Sequence, residues 1–220
     1  MTAVVTSARG VTLIGGGAVT SEDLTLAREL APRLVAADGG ADSALALGKT
    51  PDAVIGDLDS ISDDARKVIP ADRIHHVAEQ DSTDFEKCLT RIDAPFVVAV
   101  GFAGRRLDHT LAALNVLVRT VHPQCFLLAA EDVAFVPPAQ LSLDMPPGTR
   151  LSLFPMGRVN GKSQGLRWPI KGLEFAPAGR IGTSNETTGP VELSLNGPVI
   201  LMLPRAYLGA AMEGCGISVP

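Results

Sequence analysis

The chain has 220 residues, of which 46% are hydrophobic and 20% charged, a composition typical of one or two folded domains and unlike that of a disordered chain. The net charge of −5 at pH 7 argues against a nucleic-acid-binding protein, which usually carries a basic surface. The chain has no apolar run of the ~18–20 residues that a membrane helix needs and no signal-peptide pattern at its start, so we expect a cytoplasmic protein without membrane or nucleic-acid partners. Three widely spaced cysteines form no metal-binding motif, which predicts reduced thiols.

Acidic side chains are concentrated in the first part of the chain. Residues 1–138 hold 19 acidic and 12 basic side chains, and 12 of the 15 aspartates lie between Asp38 and Asp108. Aspartate is favoured at helix caps, in turns and in sites for hard cations. This segment is therefore expected either to cap many short helices or to bind a cation.

Strand and helix signals alternate through the same part of the chain. Short apolar runs predict strands, and apolar residues at helical spacing predict helices between them. In chain order, the predicted strands are residues 11–14, 34–37, 53–55, 73–77, 96–100 and 125–129, and the predicted helices are residues 21–31, 41–47, 63–69, 83–92 and 108–121. The alternation predicts an α/β fold with a Rossmann-like, mostly parallel, doubly wound sheet over residues 1–138.

After Pro138 the pattern changes. Helical periodicity nearly disappears, and Gly and Pro recur every several residues. Apolar runs at 191–195 and 199–203 flank Asn196 and Gly197, which is a strong signal for a two-residue hairpin. These features predict a smaller antiparallel β domain over residues 139–220.

Polar, glycine-containing segments directly follow four of the predicted strands. They are residues 15–17, 38–40, 56–60 and 101–109, and a fifth segment, residues 80–84, begins a helix shortly after another strand. Ligands of open parallel sheets bind beyond the carboxyl ends of the strands. We therefore expect all five segments to meet along one edge.

Asp57 and Asp59 form the sharpest motif. On an extended chain, residues two apart point to the same side, and two adjacent carboxylates repel unless a cation or a proton intervenes. Mg²⁺ is commonly bound by one or two carboxylates together with substrate phosphates. An Asp-rich turn explains the short pattern about as well, but Asp81 and Asp84 are expected nearby and favour the metal site.

Three further groups each have one functional and one structural interpretation. Arg106 and Asp108, at a predicted helix start, could bind phosphate or form only a surface ion pair. Trp168 could stack on a flat ring or lie in the core of the β domain. Residues 183–185 could hydrogen-bond a heterocycle or form a turn.

Taken in this order, the segments resemble the thiamine pyrophosphokinase family. The segments that carry the resemblance are residues 37–41, 51–60, 81–87, 101–109, 165–168 and 183–185. The resemblance implies an N-terminal nucleotide domain, a C-terminal all-β sandwich and a homodimer with active sites between subunits. It also implies a thiamine diphosphokinase, which transfers a pyrophosphoryl group from ATP to the thiamine hydroxyl with Mg²⁺ and releases AMP.

The resemblance further implies residue roles. The implied catalytic residues are Asp57, Asp59, Asp81, Arg106 and Asp108, and the first three of them would bind Mg²⁺. The implied ATP-binding residues are Gly16, Asp38, Gly39, Thr83, Asp84, Lys87 and His109, and the implied thiamine-binding residues are Trp168, contributed across the dimer, Ser184 and Asn185. Either Asp81 or Asp108 could act on the hydroxyl proton. Arg105 stands where the family usually has a glycine, so a positive φ there would strain it.

Other functions remain open at this point. A pyrophosphokinase for another heterocyclic alcohol, such as a hydroxymethyl pterin, would share Asp57 and Asp59 and differ in the β domain. A nucleotide-sensing module would bind Mg²⁺-ATP without turnover. A dinucleotide-dependent oxidoreductase is disfavoured because the chain lacks a GxGxxG motif.

Overall fold

The computed structural model describes residues 2–79 and 81–219 and divides the chain into two compact units. The first unit ends at Ala129 and the second begins at Ala130. The boundary predicted at residue 138 lies later, because residues 132–135 already pair with a strand of the second unit. Within the part of the chain that is described, no helix is long and apolar enough to cross a membrane.

Helices and strands alternate through the first unit. Its strands are β1 (Val5–Thr6), β2 (Val11–Ile14), β3 (Arg33–Ala37), β4 (Ala53–Gly56), β5 (Ile74–His76), β6 (Ile92–Asp93), β7 (Phe96–Val100) and β8 (Gln124–Leu128). Its helices are α1 (Ser21–Leu30), α2 (Gly40–Ala46), α3 (Asp63–Val68), α4 (Asp84–Leu89) and α5 (Leu107–Arg119).

Strands of this unit pair in parallel. β7 lies between β2 and β8, β4 lies between β3 and β5, and β1 pairs with β6. A bridge between Val11 and Pro32 links β2 to the start of β3, and the Thr12 hydroxyl donates a 2.6 Å hydrogen bond to the Ala31 carbonyl. The registers align the ends of paired strands. Ile14 of β2 lies opposite Val100 of β7, and Ala37 of β3 lies opposite Ile55 of β4.

The core of the first unit explains why these strand ends are well positioned. Every residue of β2, β4 and β7 is buried, as is typical of parallel strands covered by helices. Helix α1 buries Leu24 and Ala27, and helix α5 buries Ala113, Val116 and Leu117. The loops that follow these strands therefore begin from a densely packed base.

Antiparallel pairs dominate the second unit. Its strands are β9 (Asp132–Phe135), β10 (Gln140–Leu143), β11 (Arg150–Pro155), β12 (Val159–Leu166), β13 (Glu174–Phe175), β14 (Gly182–Asn196) and β15 (Val199–Pro204). The unit also contains helix α6 (Leu208–Gly214), whose buried Leu208, Ala211 and Met212 recur at helical spacing. The unit is therefore not all-β, and the whole chain has a mixed α/β fold with a large mixed sheet.

The hairpin predicted at Asn196 and Gly197 is wrong. Residues 191–194 of β14 pair with β10, and the same end of β14 pairs with β12 on its other side. Strand β15 pairs instead with β11 and β9. Gly197, with φ 116°, lets the chain turn sharply, but the two strands that it joins have different neighbours.

Candidate functional site

A cleft of about 710 Å³ opens in the first unit at the carboxyl ends of its parallel strands. Its walls come from the loops that follow β2, β3, β4 and β7, from the first turn of α4 and from the first two turns of α5. The polar segments expected to meet at one edge of the sheet therefore do so. Gly16 and Gly39, two of the residues expected to bind nucleotide, lie in the lining.

Glycines allow the loops of the cleft to approach one another. A Cβ atom on Gly17 would lie 2.5 Å from the carbonyl oxygen of Gly101, and one on Gly56 would lie 2.8 Å from the Cβ of Asp38. Real Cβ atoms do not approach other atoms so closely, so a larger residue at either position would push two loops apart. Gly56 in particular brings the end of β4 against Asp38.

Three carboxylates form what we term the carboxylate cluster: Asp38, Asp57 and Asp59. One oxygen of each lies within 4.8 Å of the others. Asp57 and Asp59 do not meet by the extended-chain geometry expected from sequence, because Leu58 between them has φ 66° and turns the chain. Oxygen atoms in this arrangement are the ligands that Mg²⁺ prefers.

Asp38 is the most buried member of the carboxylate cluster, with 1% of its surface exposed. Its Oδ2 accepts a 3.1 Å hydrogen bond from the Ser60 amide, whereas its buried Oδ1 has no hydrogen-bond partner among the described residues. Burial raises the pKa of Asp38 to about 6, and the nearby Asp84 and Asp59 carboxylates add to the increase. A buried carboxylate oxygen without a donor is costly, and a bound cation would satisfy it.

Lys87 neutralises two other carboxylates of the cleft. Only 2% of its side chain is exposed, and its Nζ donates hydrogen bonds of 2.7 Å to Asp57 and 3.0 Å to Asp84. The hydrogen bond from Lys87 lowers the pKa of Asp57. Burial alone would lower the pKa of Lys87, but the two hydrogen-bonded carboxylates outweigh it and raise that pKa. Lys87 therefore stays charged and fixes the Asp57 carboxylate at the edge of the cluster.

Asp81 lies apart from this arrangement. It is exposed, and within residues 2–79 and 81–219 it is not among the carboxylates that come together. Ser82, Thr83 and Asp84 directly after it line the cleft. Gln80, part of the same predicted polar segment, lies outside the described residues. The third carboxylate that the fold places beside Asp57 and Asp59 is Asp38.

The loop that leads into α5 carries two arginines in different situations. Arg106 forms two hydrogen bonds with Asp108, Nε to Oδ1 at 3.1 Å and Nη2 to Oδ2 at 2.6 Å, and these hydrogen bonds lower the pKa of Asp108. Arg105 and His109 line the cleft with Arg106. The positive φ falls on Gly104, at 124°, and Arg105 is outside the left-handed region, so the strain considered from sequence does not arise.

Two residues of the cleft lie in the polar segments expected to meet, although sequence reasoning assigned neither of them a role of its own. Phe102 lies in the lining, with its ring centroid 4.4 Å from that of the buried Phe85. Ser60 lines the cleft as well, and its hydroxyl donates to Asp59 at 2.8 Å while its amide donates to Asp38. Phe102 could have been found from its position inside a polar segment directly after a buried strand.

In the second unit, Trp168 is an exposed side chain rather than a core residue. Its exposed fraction is 53%, and the Arg167 guanidinium lies 5.0 Å from the ring centroid. Asn185 supports it: the side-chain amide donates to the Trp168 carbonyl at 2.7 Å, and the Trp168 amide donates to Asn185 Oδ1 at 3.2 Å. Ser184, with φ 59°, precedes it. Asn185 therefore holds the backbone of Trp168, while about half of the Trp168 surface stays exposed.

Family models match both parts of the chain. The model described as "Thiamin pyrophosphokinase, catalytic domain" matches residues 26–128, and the model described as "Thiamin pyrophosphokinase, vitamin B1 binding domain" matches residues 140–200. Among curated relatives, thiamine pyrophosphokinase 1 of Arabidopsis thaliana is 32% identical over 162 residues, and that of Oryza sativa is 29% identical over 154 residues. Each match covers 61% of this chain and 58% of the relative, so the chain spans little more than half the length of these relatives.

Solved structures show the same fold over most of the chain. A thiamin pyrophosphokinase from Candida albicans superposes with a TM-score of 0.76 at 17% identity, covering 89% of both chains. One from Geobacillus thermodenitrificans has a TM-score of 0.72 at 19% identity, covering 89% of this chain and 96% of that chain.

Proposed function

Because the chain belongs to the thiamin pyrophosphokinase family, we propose that it transfers a pyrophosphoryl group from ATP to the hydroxyl of thiamine, with Mg²⁺. The products would be thiamine diphosphate and AMP. The carboxylate cluster beside glycine loops, at the end of a parallel sheet, is the single observation that best supports this proposal.

The carboxylate cluster fits a hard cation. Asp38 has a buried oxygen without a donor among the described residues. One carboxylate oxygen of each of Asp38, Asp57 and Asp59 lies within 4.8 Å of the other two. We assign Asp38, Asp57 and Asp59 as the residues that would hold Mg²⁺, and the role of Asp81 as a ligand stays a prediction. A bound Mg²⁺ would offset negative charge on the phosphate oxygens of ATP.

The reaction is a substitution at phosphorus. The thiamine hydroxyl oxygen forms a bond to the β-phosphorus of ATP, the bond from that phosphorus to the α–β bridging oxygen breaks, and AMP leaves with the bonding electron pair. The hydroxyl proton passes to a base. Such reactions depend mainly on positioning and on charge stabilisation, which are the roles open to the side chains of this cleft.

Individual side chains would divide this work. Lys87 fixes Asp57 and Asp84 through its two hydrogen-bonded ion pairs. The low pKa of Asp108 makes it a weak base, so its pairing with Arg106 favours a role in holding the loop. The identity of the base stays open.

The second unit would supply the thiamine platform. Its family model is described as a vitamin B1 binding domain, and Trp168 presents an exposed ring. A flat, cationic heterocycle is well suited to stacking on tryptophan. We further propose a homodimer in which Trp168 of one protomer serves the cleft of the other.

One assay tests the proposal. The purified chain is incubated with ATP, MgCl₂ and thiamine, and AMP and thiamine diphosphate are quantified together. Equal amounts of both products are expected, with none when Mg²⁺ is replaced by excess chelator. Turnover with a hydroxymethyl pterin but not thiamine would identify the other pyrophosphokinase, and ATP binding without AMP formation would identify a sensing module.

A further inference from the structure

Most charged groups in the cleft already have a partner. Lys87, the buried cation, is hydrogen-bonded to Asp57 and Asp84. Arg106 has its Nε and one terminal nitrogen committed to Asp108. A polyphosphate entering the cleft would have to compete with these carboxylates for the same donors.

Arg105 differs from the other two cations. It is exposed and lines the cleft, and within the described part of the chain its guanidinium has neither a hydrogen bond nor an ion pair. Its φ lies outside the left-handed region, because Gly104 makes the turn before it. The side chain is therefore placed at the cleft without backbone strain and without a competing carboxylate.

The charge of the cleft indicates what this side chain is for. The carboxylate cluster and Asp84 surround the floor, so a triphosphate needs cationic donors from the rim. A planar guanidinium can donate two parallel hydrogen bonds to phosphate, which suits it to this ligand better than an ammonium group.

We propose that Arg105 is the guanidinium that binds the polyphosphate of the nucleotide, whereas Arg106 is held by Asp108 and orders the start of α5. This inference rests on the proposed function, since it assigns one contact in the same cleft. It makes Arg105 a determinant of affinity for nucleotide and not for thiamine.

Kinetics of four variants test the assignment. Loss of a hydrogen-bonded charge predicts that Arg105→Gln raises the KM for ATP about tenfold to a hundredfold and changes the KM for thiamine less than about twofold. Arg105→Lys keeps the charge and is expected to restore part of the loss. Arg9→Gln, an exposed arginine away from the cleft, serves as the matched control. The fourth variant, Arg106→Gln, is measured under the same conditions as Arg105→Gln. Thermal unfolding of both variants first establishes that their stabilities are equal.

The outcomes are separable. A rise of less than about threefold in the KM for ATP of Arg105→Gln, or a larger rise in Arg106→Gln than in Arg105→Gln, would overturn the assignment. If the wild-type chain forms no thiamine diphosphate, the proposed function fails, and calorimetry with ATP and with adenosine then decides the role of Arg105 by itself. Weaker binding of ATP with unchanged binding of adenosine supports a phosphate contact, and equal losses for both exclude it.

Discussion

Lys87 is a charged side chain buried at the base of a polar cleft. It bridges Asp57, which is 16% exposed, and Asp84, which is 36% exposed. A buried cation is tolerated only when anionic partners replace its hydration, and here two carboxylates do so. The position of Asp57, and with it one oxygen of the carboxylate cluster, therefore depends on Lys87.

Lys87→Met is expected to lower the free energy of unfolding by about 1–3 kcal/mol at pH 7.5, since both partners are partly exposed to water. Asp57 has a lowered pKa in the fold, so its contribution is present above its unfolded value of 3.8 and is lost as pH falls through the lower folded value. Urea denaturation at pH 7.5 and pH 3.5 should therefore show a smaller deficit at the acidic pH. An equal deficit at both would contradict the ion-pair account.

Asp57→Asn and Asp59→Asn are each expected to reduce kcat/KM by on the order of a hundredfold or more, because each would remove a negative charge from the proposed Mg²⁺ site. The measurement is the rate of AMP formation over a range of Mg²⁺ concentrations. Asp64→Asn, at an exposed aspartate paired with Lys67, is the control. Normal rates for either cluster variant at limiting Mg²⁺ would remove that residue from the metal site.

The raised pKa of Asp38 predicts that the stability of the metal-free protein depends on pH. Its folded pKa of about 6 lies above the unfolded value of 3.8, so its stabilising contribution is full below pH 3.8 and is lost as pH rises through 6. Between pH 4 and about pH 7, the unfolding free energy of the wild type should therefore fall relative to that of Asp38→Asn. Chemical denaturation in chelator checks this, and parallel curves would contradict it. Mg²⁺ is expected to stabilise the wild type at pH 7.5.

At the scale of secondary structure, helix α4 is the element that carries Lys87 into the cleft. With six residues it is too short to be stable alone. Thr83 caps it by accepting a 3.3 Å hydrogen bond from the Glu86 amide, and Glu86 pairs with Arg119 of α5 at 2.8 Å. The helix predicted over residues 83–92 begins within one residue of its observed start and ends later than the observed Leu89.

Thr83→Ala is expected to cost about 1 kcal/mol of stability and to lower kcat/KM, because the first turn of α4 also holds Asp84 and Lys87. Thr20→Ala removes the capping box of α1, a helix that does not line the cleft, and should cost a similar amount with unchanged kinetic constants. Thermal unfolding and steady-state kinetics on both variants separate the two effects. Unchanged kinetics in Thr83→Ala would show that α4 needs no cap to position Lys87.

At the scale of the whole molecule, the proposed activity requires both units, one for the carboxylate cluster and one for Trp168. Family models match each unit separately, over residues 26–128 and 140–200. In a two-fold symmetric dimer, a contact from one copy to the other is repeated in reverse, so a shared site would occur twice. The proposed homodimer can be tested because the carboxylate cluster and Trp168 of one site would come from different protomers.

Mixing Asp57→Asn with Trp168→Ala is expected to restore activity that neither variant shows at low thiamine concentration. Random exchange makes half of the dimers mixed, each with one intact site, so recovery approaches about a quarter of the wild-type rate. Trp168→Ala alone should mainly raise the KM for thiamine. No recovery after demonstrated subunit exchange would place each Asp57 and Trp168 pair within one protomer.

The sequence by itself determined the alternation of strands and helices in the first unit, because apolar periodicity and glycine-ended strands depend on near neighbours. It also determined which polar segments would gather, since the carboxyl ends of parallel strands share one edge.

The tertiary structure decided which side chains meet there. Asp38 joins Asp57 and Asp59 because β3 lies beside β4, and Lys87 reaches Asp57 across thirty positions of sequence. The partners of β14 and β15, and thus the failed hairpin, were likewise decided by non-local pairing. Local patterns are set by backbone geometry and burial, whereas contacts between distant segments depend on strand order, which periodicity does not encode.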